Sequence, residues 1–144
     1  LKSVDVLTIN DEEARQLSEE YSLVNAAKKI LEMGPKYLII KKGEHGAMLF
    51  DKKQVFFSPA LPLEEVLDPT GAGDSFAGGF VGYIAKTGDL SFENMKRAVI
   101  YGSVLASFSV EKFGTEQLEK ITKEQINCRL KNIVNLMSCD IDIN

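Results

Sequence analysis

The stretch Asp68-Pro69-Thr70-Gly71-Ala72-Gly73-Asp74 joins a turn, unshielded backbone and a carboxylate. Pro69 has no N–H to donate and biases the chain away from regular structure. Gly71 and Gly73 admit positive φ, and no side chain screens their amides. From Asp74 the pattern turns helical, with Phe76, Phe80, Tyr83 and Ile84 recurring on one side. A small-residue turn that enters a helix aims successive amides, and the positive end of the helix dipole, at one point. That point suits an anion, yet Asp74 places an acid within it. One reading makes Asp74 a helix cap, worth about 1 kcal/mol. The other makes it a general base that takes a proton from a hydroxyl. The amides of Gly71, Ala72 and Gly73 would then stabilise charge on a transferring phosphoryl group.

The neighbouring elements must hold that turn in place. Gly78, Gly79 and Gly82 lie within the helix, each costing roughly 1 kcal/mol against alanine, which predicts very close packing against another element. Residues 4–9 are predicted to form a buried strand. Asp11 is the predicted cap of the helix after it, and Leu23 to Met33 a second, amphipathic helix stopped by Gly34-Pro35. Tyr37-Leu38-Ile39-Ile40 reads as another buried strand, so the spacing indicates a parallel βαβ unit. The glycine turn Lys41-Lys42-Gly43-Glu44-His45-Gly46 leads into Ala47–Phe50, and Asp51-Lys52-Lys53 turns the chain into Gln54–Phe57. His45, the lone histidine, reads as a solvated loop residue. Ser91 opens a predicted helix over Phe92–Phe108 carrying Gly102, Ser103, Ala106 and Ser107. From Glu116 to Met137 the chain is charged and amphipathic, with Ile121, Ile126, Leu130, Ile133 and Val134 as the docking stripe.

Composition narrows the classes further. The 144 residues are 44% hydrophobic, enough for one domain with a core. Seventeen basic residues face 21 acidic ones, a net charge of −4 that argues against a nucleic-acid partner. No apolar run reaches the ~18 residues of a membrane span, and no signal peptide is evident. Cys128 and Cys139 lack CxxC spacing and a histidine partner, so they read as reduced thiols in a cytoplasmic protein.

The Asp68–Asp74 stretch, with the small residues Gly78 and Gly79 behind it, resembles the second signature of the ribokinase-like (PfkB) carbohydrate and nucleoside kinases. Every position of that pattern is filled. The resemblance implies an α/β fold, a three-layer α/β/α arrangement with a mostly parallel sheet and helices on both faces. It covers nearly all of residues 1–144, but only the C-terminal, nucleotide-binding half of such a kinase. The N-terminal half, which supplies a lid and most acceptor contacts, has no counterpart here. The chain starts at Leu1 without a methionine, close to a strand, which suits a truncation point.

The implied reaction is transfer of the γ-phosphoryl group of ATP to a hydroxyl of a sugar, or alternatively of a nucleoside. A non-catalytic nucleotide-binding module is the reading from another class. The resemblance makes Asp74 the base. Asn10 and Glu13 match the family's Asn-x-x-Glu motif, near the nucleotide phosphates and the water shell of Mg²⁺. Gly43 and Gly46 border the nucleotide, and Lys41 stands where the family usually has a threonine that meets phosphate. Ser103 replaces a common asparagine near the base, and Val110-Glu111-Lys112-Phe113-Gly114 fits the loop that walls the adenine pocket. Asp68 and Thr70 match positions that hold a monovalent cation such as K⁺, although turn chemistry accounts for both equally. A sheet missing strands keeps an unpaired edge. The isolated chain is therefore expected to be inactive and to associate through that edge, with a homodimer as a candidate assembly.

Overall fold

The computed structural model describes residues 1–111 and 115–143. The order is β1 (Val6–Asn10), α1 (Asp11–Ser18), α2 (Leu23–Glu32), β2 (Tyr37–Lys41), β3 (Ala47–Phe50), β4 (Val55–Ser58), α3 (Ala72–Thr87), α4 (Phe92–Glu111) and α5 (Lys123–Met137). Short 3-10 turns lie at Gly43–His45 and Thr115–Lys120.

The α/β class and the helices on both faces are as expected; the mixture of strand directions is a correction. The sheet runs β1-β2-β3-β4, and only β1 and β2 pair in parallel. The β2–β3 and β3–β4 pairs are antiparallel, so over these residues the sheet is mixed and not mostly parallel. The cause is connection length. The α1–α2 crossover has room to return the chain in parallel, whereas Lys42–Gly46 and Asp51–Gln54 allow only hairpins. Asp51 fixes the second hairpin, its Oδ1 accepting from the amides of Lys53 (2.7 Å) and Gln54 (2.8 Å).

Alternation along β2 explains the two faces. Leu38 and Ile40 join Phe50 against Ala14, Ala27, Ile30 and Leu31 of α1 and α2. Ile39 joins Ala47 and Leu49 against Phe76 and Phe80 of α3 and Met95, Ala98 and Val99 of α4. Burying each large aliphatic side chain stabilises the fold by about 1.5–3 kcal/mol. A third cluster, Val104, Phe108 and Ile133 with Ile126, Leu130 and Met137, docks α5 on α4. The predicted stripe is right except at its end, because Val134 stays 48% exposed. One edge of the sheet is β1, which pairs only with β2 among the described residues.

Close packing of α3 is with α4, at a single crossing. A Cβ on Gly102 would stand 2.7 Å from the Phe76 carbonyl oxygen, and one on Gly79 3.1 Å from Gly102 Cα. Gly78 and Gly82 differ from that expectation, since a Cβ on either would meet nothing within 4 Å.

Several boundaries also differ. Asn10 caps α1, not Asp11, because its side chain reaches the Glu13 amide. Helix α4 continues through Glu111, which makes Val110 and Glu111 helical rather than part of a loop. Lys112, Phe113 and Gly114 of that proposed loop lie outside the described residues.

Candidate active site

Three chain segments meet at one end of the sheet. β1 and β2 run in parallel, so their last residues, Asn10 and Lys41, are register partners. From there Lys41 extends toward α3, with Nζ 3.1 Å from the point a Cβ on Gly73 would occupy. The turn Asp68–Gly71 delivers the N-terminus of α3 to the same place. Gly71 is its N-cap at φ +84°, a conformation that strains any residue with a Cβ.

The geometry removes one of the two readings of Asp74, the helix cap. Asp74 is the third helical residue, not the cap, and its side chain makes no hydrogen bond among the described residues. It keeps a favourable place in the helix dipole, but its carboxylate is exposed and free of partners. The amides of Gly71, Gly73 and Asp74 have no backbone acceptor among the described residues. Ala72 is a correction. Its N–H donates to the Pro69 carbonyl at 3.2 Å, which closes the β-turn and removes that amide from the anion-binding set.

Lys41 makes no ion pair among the described residues. An ammonium beside the positive end of a helix is repelled unless an anion lies between them. Gly73 adds space: nothing but the flexible lysine tip approaches its Cβ position. A cation, amides without backbone acceptors and an open glycine thus stand together, groups of the kind that suit phosphate oxygens.

Asn10 and Glu13 are joined to each other. Asn10 Oδ1 accepts from the Glu13 amide and Glu13 Oε2 from the Asn10 amide, both at 2.8 Å, a reciprocal capping box. Both residues are thus engaged in starting α1, and Glu13 Oε1 has no hydrogen-bond partner among the described residues. Asp68 Oδ1 accepts from the Thr70 amide at 2.8 Å. That bond, with a contribution from the Thr70 hydroxyl, holds the Asp68 carboxyl below its usual range. Here too the turn reading is realised.

The two glycines of the first hairpin separate. Gly46 is buried at φ +89°, and its Cβ would overlap the Ser58 carbonyl oxygen, so sheet packing requires it. Gly43, at φ +57°, faces open space and leaves room for a ligand. His45 is exposed, as expected of a loop histidine, with Glu44 3.7 Å away. Ser103 follows the Gly102 crossing on α4, about 9 Å along the helix from Ser109, and no hydrogen bond joins it to the turn. Among the described residues no cluster of three His, Cys, Asp or Glu side chains is placed to hold a metal. No helix there is long and apolar enough to cross a membrane. Sequence reasoning named Val110 only as part of a loop and missed its carbonyl, which accepts from the amides of Leu67 (2.9 Å) and Asp68 (3.3 Å) and so anchors the turn to α4. It also missed Ser109, whose Oγ lies 3.9 Å from the Cβ position of Gly71. Backbone acceptors leave no mark on residue type, which is why pattern reading passes over them.

Helices on both faces of a sheet, with a helix N-terminus brought to the strand ends, define a class of α/β proteins. Comparison with known proteins narrows the class. The pfkB family of carbohydrate kinases matches residues 1–121, and the chain belongs to that family. A cytidine kinase from Thermococcus kodakarensis is 40% identical over 80 residues, 54% of this chain and 28% of that protein. The ribokinase of Thermotoga maritima superposes with a TM-score of 0.75 at 32% identity, covering 91% of this chain and 43% of that one. An E. coli protein described as a ribokinase II, solved in complex with ATP and Mg²⁺, gives a TM-score of 0.73 at 26% identity over 89% of this chain and 39% of its own. The chain therefore spans less than half the length of these relatives.

Proposed function

We propose that these residues form the nucleotide-binding part of a kinase that moves the γ-phosphoryl group of ATP to a sugar hydroxyl. The observation that carries the reading is the convergence at the strand ends, where Lys41 reaches Gly73 beside an unpartnered Asp74. ATP with Mg²⁺ supplies the phosphoryl group. Both fit what is present: Lys41 and the amides of Gly71, Gly73 and Asp74 would meet phosphate oxygens, and the open position of Gly43 would border the nucleotide. Mg²⁺ needs few protein ligands beside phosphates and water, so the spare oxygen of Glu13 would act through a water. Asp74 would take the proton of the acceptor hydroxyl as its oxygen attacks, while the cradle holds the developing charge. Asp68 and Thr70 would hold K⁺ through oxygens not used in their own turn, and Ser103 would lie toward the base.

The kinase relatives are more than twice as long as the matched region, so we place acceptor-binding groups in residues beyond these 144. In that reading the isolated chain binds nucleotide without turning it over, and the free edge of β1 receives the remaining strands or a second copy. A nucleoside acceptor is the second reading, favoured by the likeness to a cytidine kinase. The test is ADP release from ATP and Mg²⁺ with a panel of sugars and nucleosides, using the longer protein that contains these residues, with Asp74→Asn beside it. Turnover on one acceptor that falls by about 10²–10⁴ in the variant is the expected result. Full activity in Asp74→Asn would remove Asp74 from the chemistry.

A further inference from the structure

Arg129 of α5 lies far from the turn in sequence, and no reaction step above uses it. Its Nη1 donates to Ser107 Oγ at 2.7 Å, its Nη2 to Glu111 Oε2, and its guanidinium carbon stands 3.7 Å from the Phe108 ring centroid. All three partners belong to the last turns of α4. Glu111 puts a carboxylate at the negative end of that helix, an unfavourable place that a cation offsets. The Arg129 side chain is only 18% exposed, so the pair is shielded from solvent more than an ordinary surface bridge.

The same stretch of α4 carries the turn. Val110 lies beside Glu111, and its carbonyl holds the amides of Leu67 and Asp68, the two residues that lead into Pro69 and the cradle. Ser109 lies beside Gly71. One side chain on α5 thus holds the stretch of α4 from which the turn hangs. We infer that Arg129 is a positioning residue for the Leu67–Asp74 turn, acting through Ser107 and Glu111 on the backbone of Val110. As a statement about nucleotide binding, it rests on the proposed function; as a statement about the turn, it stands on the hydrogen bonds alone.

The test compares Arg129→Met and Arg129→Lys with wild type in the 144-residue chain, by amide hydrogen exchange and by titration with MgADP. In Arg129→Met, the amides of Leu67 and Asp68 are expected to exchange about tenfold faster, while those of Ile39 and Leu49 in the sheet keep their rates. MgADP affinity is expected to fall about 3- to 30-fold, the usual span for coupling through a packed contact. Lysine keeps the charge but lacks the planar fork and its stacking on Phe108, so Arg129→Lys is expected to lie between wild type and Arg129→Met. If methionine unfolds the chain, the lysine variant decides alone. Unchanged exchange at Leu67 and Asp68 in a folded variant would overturn the inference, as would equal acceleration throughout the sheet. Failure of wild type to bind MgADP would instead sink the proposed function, and the exchange comparison would still decide the role of Arg129.

Discussion

Helix α3 holds glycines of two kinds. In its middle, Gly79 faces Gly102 of α4, and added carbon would strike backbone or a neighbouring leucine. In its first turn, Gly73 faces only the tip of Lys41, in a conformation open to any residue. The first kind is required by the fold. The second is not, and it sits beside free amides and an unpaired cation. The same contrast separates Gly46, packed on Ser58, from Gly43, which faces open space. Packing leaves Gly73 unexplained, as it does Gly78 and Gly82, and what sets Gly73 apart is the lysine tip and the amides without backbone acceptors beside it.

Substitutions can break this comparison at either end. The largest effect is expected for Asp74→Asn at the open end, with phosphoryl transfer reduced as above and the melting temperature nearly unchanged. Next comes the crossing. Gly102→Ala gains about 1 kcal/mol of helix propensity but forces α3 and α4 apart, an overpacking cost of about 1–3 kcal/mol. Its net effect, read by denaturant unfolding, is expected to be a loss of stability of up to about 2 kcal/mol. Gly78→Ala, one residue from the crossing, meets nothing and is expected to stabilise by up to about 1 kcal/mol. A stability loss there would mean that something covers this face of α3. Gly73→Ala sharpens the other side: stability is expected to stay within about 0.5 kcal/mol, while MgATP affinity falls because the phosphates lose their close approach.

The smallest expected effect is electrostatic. Hydrogen bonds from Thr70 depress the Asp68 carboxyl in the folded chain. Their contribution is present above the ordinary carboxylate range and is lost as pH falls through the lowered folded value. The Thr70 amide resonance should report that loss in an acid titration while the sheet amides stay in place. A Thr70 amide that does not respond to acid would mean that the Asp68–Thr70 bond does not persist in solution.

What was legible in the sequence follows the range of the interactions. The Asp68–Asp74 turn, the βαβ unit, the second hairpin and the Ser91 helix start are written in nearby residues, and each is where its residues place it. The Asn10–Glu13 pair was legible as a family motif, while its capping box was not, because Asp11 next to Asn10 is an equally good cap by residue type. The direction of β3 escaped because family likeness outweighed the short Lys42–Gly46 connection. The engaged Ala72 amide escaped because the closing bond to Pro69 depends on backbone geometry. Arg129 escaped for a third reason: in a charged helix one arginine looks like solvated surface until its partners on α4 are known.

The central claim is that Lys41, Gly73 and the amide of Asp74 form a phosphate cradle. The most direct measurement is titration of the isotope-labelled chain with MgATP, followed by amide and lysine side-chain shifts. The largest changes are expected at Gly43, Gly71, Gly73, Asp74 and the Lys41 ammonium, with Gly79 and Gly102 nearly still. A folded chain with no response there, or with its changes gathered elsewhere, would contradict the account.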